Sequence, residues 1–118
     1  MRKVYYLSTC DTCKRIMKSL NLEDFEQQDI KTVAITPDQL SEMYDLSGSY
    51  EALFSKTARK YRGLGLNEKE LTADDFRKYI LEEYTFLKRP VFIVDNQIFI
   101  GNSKKTIAAL AEVIGLAD

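Results

Sequence analysis

The chain's only two cysteines stand two residues apart, in Ser8-Thr9-Cys10-Asp11-Thr12-Cys13-Lys14-Arg15. Thiols at this spacing can close and reopen a disulfide, moving two electrons each time, and C-x-x-C beside a βαβ pattern reads as such a redox motif. Zinc is a competing use of paired cysteines. A structural zinc site takes four protein ligands, and with no histidine and no third cysteine in the sequence no metal is expected. The bland alternative is a pair of inert thiols.

The flanking residues must position the two sulfurs. Lys3-Val4-Tyr5-Tyr6-Leu7 is β-branched and aromatic enough for a short strand. Cys13, Ile16, Met17 and Leu20 recur at i, i+3, i+4 and i+7, the apolar stripe of an amphipathic helix, with Lys14, Arg15 and Lys18 on the other face. Cys10 is therefore expected at the strand-to-helix turn and Cys13 at the head of the buried stripe. One sulfur is reachable by a substrate and the other is sheltered. A helix N-terminus presents unpaired N–H groups and a partial positive charge. Such placement lowers a thiol pKa from about 8.5 to about 3.5–7.5. Lys14 works in the same direction and Asp11 against it.

Composition bounds the rest. At 118 residues the chain suits one domain with one core. Lys and Arg number 17 against 18 Asp and Glu, so the net charge of −1 gives no case for direct nucleic-acid binding. No apolar run has the length of a membrane span, and the start lacks the apolar region of a signal peptide. A cytoplasmic protein is the expectation.

Along the chain, residues 25–30 form a weakly patterned second strand. Thr36-Pro37-Asp38-Gln39 is a capping box with Pro at the first helical position. Leu40, Met43 and Tyr44 supply that helix's stripe, and Ser47-Gly48-Ser49 ends it. Residues 50–71 read as short helical pieces broken by Gly63 and Gly65, with aromatic residues that belong to a core. Thr72-Ala73-Asp74-Asp75 opens a further helix whose buried face is Phe76, Tyr79, Ile80 and Tyr84. Val91-Phe92-Ile93-Val94 and Ile98-Phe99-Ile100 make a hairpin about Asp95-Asn96-Gln97. After Gly101, Ser103 caps a last helix with Ile107, Leu110, Ala111 and Ile114 inward and Gly115 just past its end. The order βαβ, helices, ββα predicts an α/β fold: a four-stranded mixed sheet flanked by helices, with a helical insertion at about 36–87.

That order, with C-x-x-C after the first strand, resembles the thioredoxin fold. The insert before Lys88-Arg89-Pro90 resembles the arsenate-reductase (ArsC)/Spx family over nearly the whole chain, most specifically at Cys10-Asp11-Thr12-Cys13-Lys14, Gly48-Ser49-Tyr50-Glu51-Ala52-Leu53-Phe54-Ser55, Arg89-Pro90 and Ile100-Gly101. The resemblance implies one domain over 1–118, Cys10 as nucleophile, Arg89 near it and a cis Pro90. Arsenate reductases of this type hold their oxyanion with three arginines, a fit cage because guanidinium is always charged and donates bidentately. Here only Arg89 matches. The insert-loop arginine falls in Ser55-Lys56-Thr57 and the third position reads Gly101, which leaves Lys56 or Arg59 as substitutes and Lys14 and Pro90 as weaker neighbours of an anion. The second cysteine, Cys13, is instead a feature of Spx, a regulator that senses oxidation through its disulfide and binds the carboxy-terminal domain of the RNA polymerase α-subunit. Gly48 falls at that contact in the family, although a helix-ending glycine explains it as well. Spx proteins carry a basic tail after the last helix, and this sequence reads closer to the short C-x-x-C members.

Three functions follow in order. The first is a thiol-disulfide oxidoreductase with Cys10 as nucleophile, Cys13 as resolving thiol and Arg89 as anion or thiolate partner. It would bind no cofactor, take glutathione as co-substrate, and act on a small thiol or oxyanion or exchange with thioredoxin or glutaredoxin. The second is a redox-switched Spx-like regulator of RNA polymerase. The third is an arsenate reductase.

Overall fold

The computed structural model describes residues 1–118. The chain separates into two compact units, Met1–Val33 with Arg89–Asp118, and Ala34–Lys88.

The first unit holds the sheet. Its strands are β1 (Arg2–Tyr6), β2 (Glu26–Asp29), β3 (Val91–Val94) and β4 (Gln97–Ile100), in the order β2-β1-β3-β4. β1 and β2 are parallel, with Tyr6 opposite Asp29, and the other pairs are antiparallel, with Tyr5 opposite Val91 and Val91 opposite Ile100. The C-terminal ends of β1, β2 and β4 and the start of β3 therefore share one end of the sheet. Helices α1 (Asp11–Ser19) and α6 (Lys104–Ile114) pack on one face of it. Ile16, Leu20, Leu110 and Ile114 meet Val4, Phe25, Phe92 and Val94 in one apolar cluster. The alternation of Val4 and Tyr6, and of Phe92 and Val94, is what a pleated strand needs to place them on one side. Backbone bonds tie the ends of both helices together, from Asn21 N–H to the Gly115 carbonyl (3.0 Å) and from Ala117 N–H to that of Ser19 (3.0 Å). Both helices thus start at the sheet end just defined.

The fold is the expected α/β one, a four-stranded mixed sheet flanked by helices. Its details differ in places: Tyr44, expected on the apolar stripe of its helix, is exposed, its ring stacked on Tyr50 at 4.3 Å. The hairpin turn is Asp95-Asn96 alone, with Asp95 at φ +54° and Gln97 paired to Val94. A two-residue turn matches the strand twist when its first residue takes a positive φ, which Asp tolerates. Tyr84 falls outside the helix to which its spacing assigned it: α5 ends at Glu82 and Tyr84 opens a 3-10 turn over Tyr84–Phe86. The Glu83 side chain accepts from the Thr85 N–H, a local bond that competes with another helical turn.

The second unit contains α2 (Pro37–Ser47), α3 (Tyr50–Leu53), α4 (Arg59–Gly63) and α5 (Ala73–Glu82), with a 3-10 turn over Leu66–Glu68. Both capping boxes form: Thr36 accepts from Gln39 N–H while Gln39 accepts from Thr36 N–H, and Thr72 with Asp75 does the same. Phe54 centres the core, its ring 4.9 Å from Phe76, 5.0 Å from Phe86 and 5.8 Å from Tyr61. Phe54 bridges Leu87, and Lys88 N–H reaches the Leu53 carbonyl (2.8 Å), so this core ends one residue before Arg89.

Candidate active site

Cys10 is the N-cap of α1, at φ −97° and ψ 109°, and its side chain makes no capping bond. Its carbonyl accepts the first helical bond from Lys14 N–H (3.1 Å), and its own N–H donates to Leu7 (3.0 Å). A good capping residue would have spent its oxygen on the helix. The thiol leaves the first-turn N–H groups available to its own sulfur. Cys10 is half-buried, and Cys13 is fully buried at the head of the apolar stripe.

The two environments pull the thiols in opposite directions. At Cys10, burial raises the pKa, but the Cys13 backbone N–H, the Cys13 thiol, the Arg89 guanidinium and the Thr12 N–H together outweigh it, and the net shift is down. At Cys13, burial dominates and is reinforced by the Cys10 side chain and its charge, against the Leu7 main chain and Arg89, and the pKa is pushed up to about 11. Of the two thiols, Cys10 is therefore the one that ionises first.

Arg89, half-buried, comes to the site because β3 lies beside β1 and the chain approaches β3 through Arg89-Pro90. The Arg89–Pro90 peptide is cis, and the buried Pro90 accepts from Gly101 N–H at 2.9 Å. Lys14 is exposed, its Nζ 3.9 Å from Asp11. The other residues singled out from the sequence lie in the second unit. Lys56 Nζ is held by Glu51 at 2.7 Å, and Arg59 is exposed at the start of α4. Gly48 closes α2 in the left-handed region at φ +73°, donating to Tyr44 (2.7 Å), so the helix end alone requires a glycine there.

Sequence reasoning missed Asp29. Its carboxylate accepts from Ser8 N–H and Lys31 N–H, both at 3.2 Å, and bonding from the Ser8 side chain leads the effects that hold its pKa below the usual range. This bond ties the loop before Cys10 to the end of β2. An Asp closing the second strand of a parallel βαβ pair was the available signal.

A four-stranded thioredoxin-like α/β domain with C-x-x-C at the turn from its first strand into a helix defines the class. The match is to the pattern of the ArsC family over residues 5–110, and the chain belongs to that family. Global transcriptional regulator Spx 2 of Bacillus anthracis is 26% identical over 108 residues, covering 88% of this chain and 82% of its own. Several solved structures share the fold, among them two described as arsenate reductases. One is a possible arsenate reductase from Streptococcus mutans (TM-score 0.73, 23% identity, 93% of this chain and 97% of that one). The other is an arsenate reductase from Vibrio cholerae (TM-score 0.75, 15% identity, 96% and 97%).

Proposed function

We propose that this protein is a thiol-disulfide oxidoreductase in which Cys10 attacks and Cys13 resolves. The observation that carries the reading is the placement of two thiols in C-x-x-C spacing, Cys10 half-buried at the N-cap of α1 and Cys13 fully buried behind it, with acidities displaced in opposite directions. In the first step the Cys10 thiolate attacks a substrate disulfide. A Cys10–substrate S–S bond forms, the substrate S–S bond breaks, and one substrate sulfur leaves as a thiolate. Cys10 then carries no charge and no longer opposes ionisation of Cys13, while Arg89 still favours it. With no histidine in the chain, the Cys13 proton passes to the departing thiolate or to water. The Cys13 thiolate attacks Cys10 Sγ, the intramolecular disulfide closes, and the second substrate sulfur leaves. Two electrons have moved to the substrate, and an external thiol such as glutathione returns them. No step uses a cofactor or metal.

Cys13→Ser stops the cycle after the first step. Mass spectrometry of the variant recovered from cells should find a thiol adduct on Cys10. Adducts absent there but abundant in Cys10→Ser would overturn the assignment.

The similarity to Spx 2 favours a second reading, a redox-switched regulator in which the same disulfide controls binding to the carboxy-terminal domain of the RNA polymerase α-subunit, with Gly48 at the contact. Pull-down of that domain by only one redox state, with no catalytic turnover of disulfides, would select it. Arsenate reduction stands third, because Arg89 alone of three family arginines is present and Lys56 is engaged by Glu51.

A further inference from the structure

Charge in the sheet-bearing unit is unevenly divided between the two ends of the sheet. The end that carries Cys10 holds Lys14, Arg15, Lys31, Arg89, Lys104 and Lys105, against Asp11 and Asp29. The two acids offset two of these six charges, Asp11 through Lys14 at 3.9 Å and Asp29 beside the Ser8 and Lys31 N–H groups, which leaves a surplus of positive charge. The opposite end, where the helices finish and the hairpin turns, holds Glu23, Asp24, Glu26, Asp95, Glu112 and Asp118 together with Arg2, Lys3, Lys18 and the Met1 amino group, of which Lys3 pairs with Glu26 (3.6 Å) and Met1 with Asp95 (2.9 Å), so acids outnumber bases there. A chain of net charge −1 thus presents a locally cationic face around its nucleophile.

Lys104 and Lys105 argue that this is more than a solvated surface. They are exposed and stand in the first turn of α6, which contains no acidic residue. A helix N-terminus carries partial positive charge and disfavours cations. The two lysines therefore act against the helix they begin, and the N-termini of α1 and α6 add to the same field. The charges are also widely spread. Lys31 follows β2 and Lys104 follows β4, at opposite edges of the sheet. Three strand spacings separate those edges by about 14 Å, more than a small anion spans.

Resting on the reading of Cys10 as an attacking thiol, we propose that this face is an electrostatic docking surface for an acidic protein. The partner presents its disulfide within a carboxylate-rich surface. The cationic face raises the encounter rate, as complementary charge does in steered association. A surface of matching sign is repelled.

The test compares attack by the reduced full chain on defined disulfides. The probes are neutral 2-hydroxyethyl disulfide, oxidised glutathione, and two peptides whose central cysteine is disulfide-linked to 2-mercaptoethanol, flanked by glutamates or by lysines. At low ionic strength the glutamate peptide should react about tenfold faster than the lysine peptide, a range typical of steering, and the gap should close as salt rises. Lys104→Glu with Lys105→Glu should remove most of that gap and leave the rate with the neutral disulfide unchanged. The reversal suits the helix dipole, so folding is not at risk. Equal peptide rates would overturn the proposal. So would a preference that survives the reversal and is matched by glutathione, which would be a small-anion effect local to Cys10. If Cys10 is inert to the neutral disulfide, the underlying reading fails and the docking surface with it.

Discussion

Cys10 and Cys13 lie close together at the head of α1 in unlike surroundings: burial, reinforced by the Cys10 side chain, pushes the Cys13 pKa up, while the Cys13 backbone N–H and thiol, with Arg89 and the Thr12 N–H, bring that of Cys10 down. The pair is asymmetric before any substrate arrives. Burial sets which sulfur is which, because Cys13 lies inside the apolar stripe of α1 and Cys10 caps it.

Alkylation should follow that asymmetry. Near neutral pH iodoacetamide should label Cys10 first, with a rate that follows its thiolate fraction and levels off below the ordinary thiol range of about 8.5. Labelling of the buried Cys13 should lag behind and need a higher pH, since burial is the first cause that raises its pKa. Peptide mapping by mass spectrometry over a pH series measures both, and faster modification of Cys13 would reverse the roles.

Arg89 acts on both sulfurs and should be felt at both. Arg89→Ala should raise the Cys10 pKa and slow its attack at neutral pH. Arg89→Lys should recover part of the loss, since the charge survives and the planar fork does not. Thiolate absorbance read against pH decides this, and superimposable curves for wild type and Arg89→Ala would exclude Arg89 from the site.

Stability should depend on pH through Cys13. Its folded-state pKa, about 11, lies above the unfolded value, so the folded state binds the proton more tightly. That stabilisation is fully present below about 8.5 and is lost as the pH rises towards the folded value, by roughly 3 kcal/mol at about 1.4 kcal/mol per unit. Cys10 has the opposite sign: its stabilising contribution grows as pH rises through the interval below about 8.5. Denaturant titrations of wild type and Cys13→Ser should diverge in slope above that pH. Parallel profiles would place Cys13 outside the apolar interior.

The helical unit makes its own demands. Phe54→Ala removes a buried ring in contact with three others and should cost about 3–5 kcal/mol. Thr36→Ala or Thr72→Ala loses one capping box and should cost about 1 kcal/mol. Chemical denaturation measures all three, and an equal effect from cap and core would contradict this packing.

Much was legible in the sequence because its causes are local. Thr36 with Gln39 and Thr72 with Asp75 announce helix starts through bonds across three residues. The spacing of Cys13, Ile16 and Leu20 places one thiol inside and leaves Cys10 at the cap. Where a local bond competed with periodicity, as Glu83 does with Thr85, the spacing of Tyr84 misled.

Resemblance had pointed to Arg89 near Cys10, but the approach itself depends on the antiparallel pairing of β3 with β1, which no spacing along the chain encodes. Asp29 reaches Ser8 only because β2 runs parallel to β1 and ends at the same level. Lys104 and Lys105 share an end with Cys10 because β4 returns beside β3 and delivers α6 there. Sequence by itself determined the elements, the C-x-x-C spacing and which cysteine is sheltered, since these follow from short-range bonds and burial periodicity. Only the tertiary structure decided which charges surround the pair, because a Coulomb interaction depends on distance in space and strand order sets that distance.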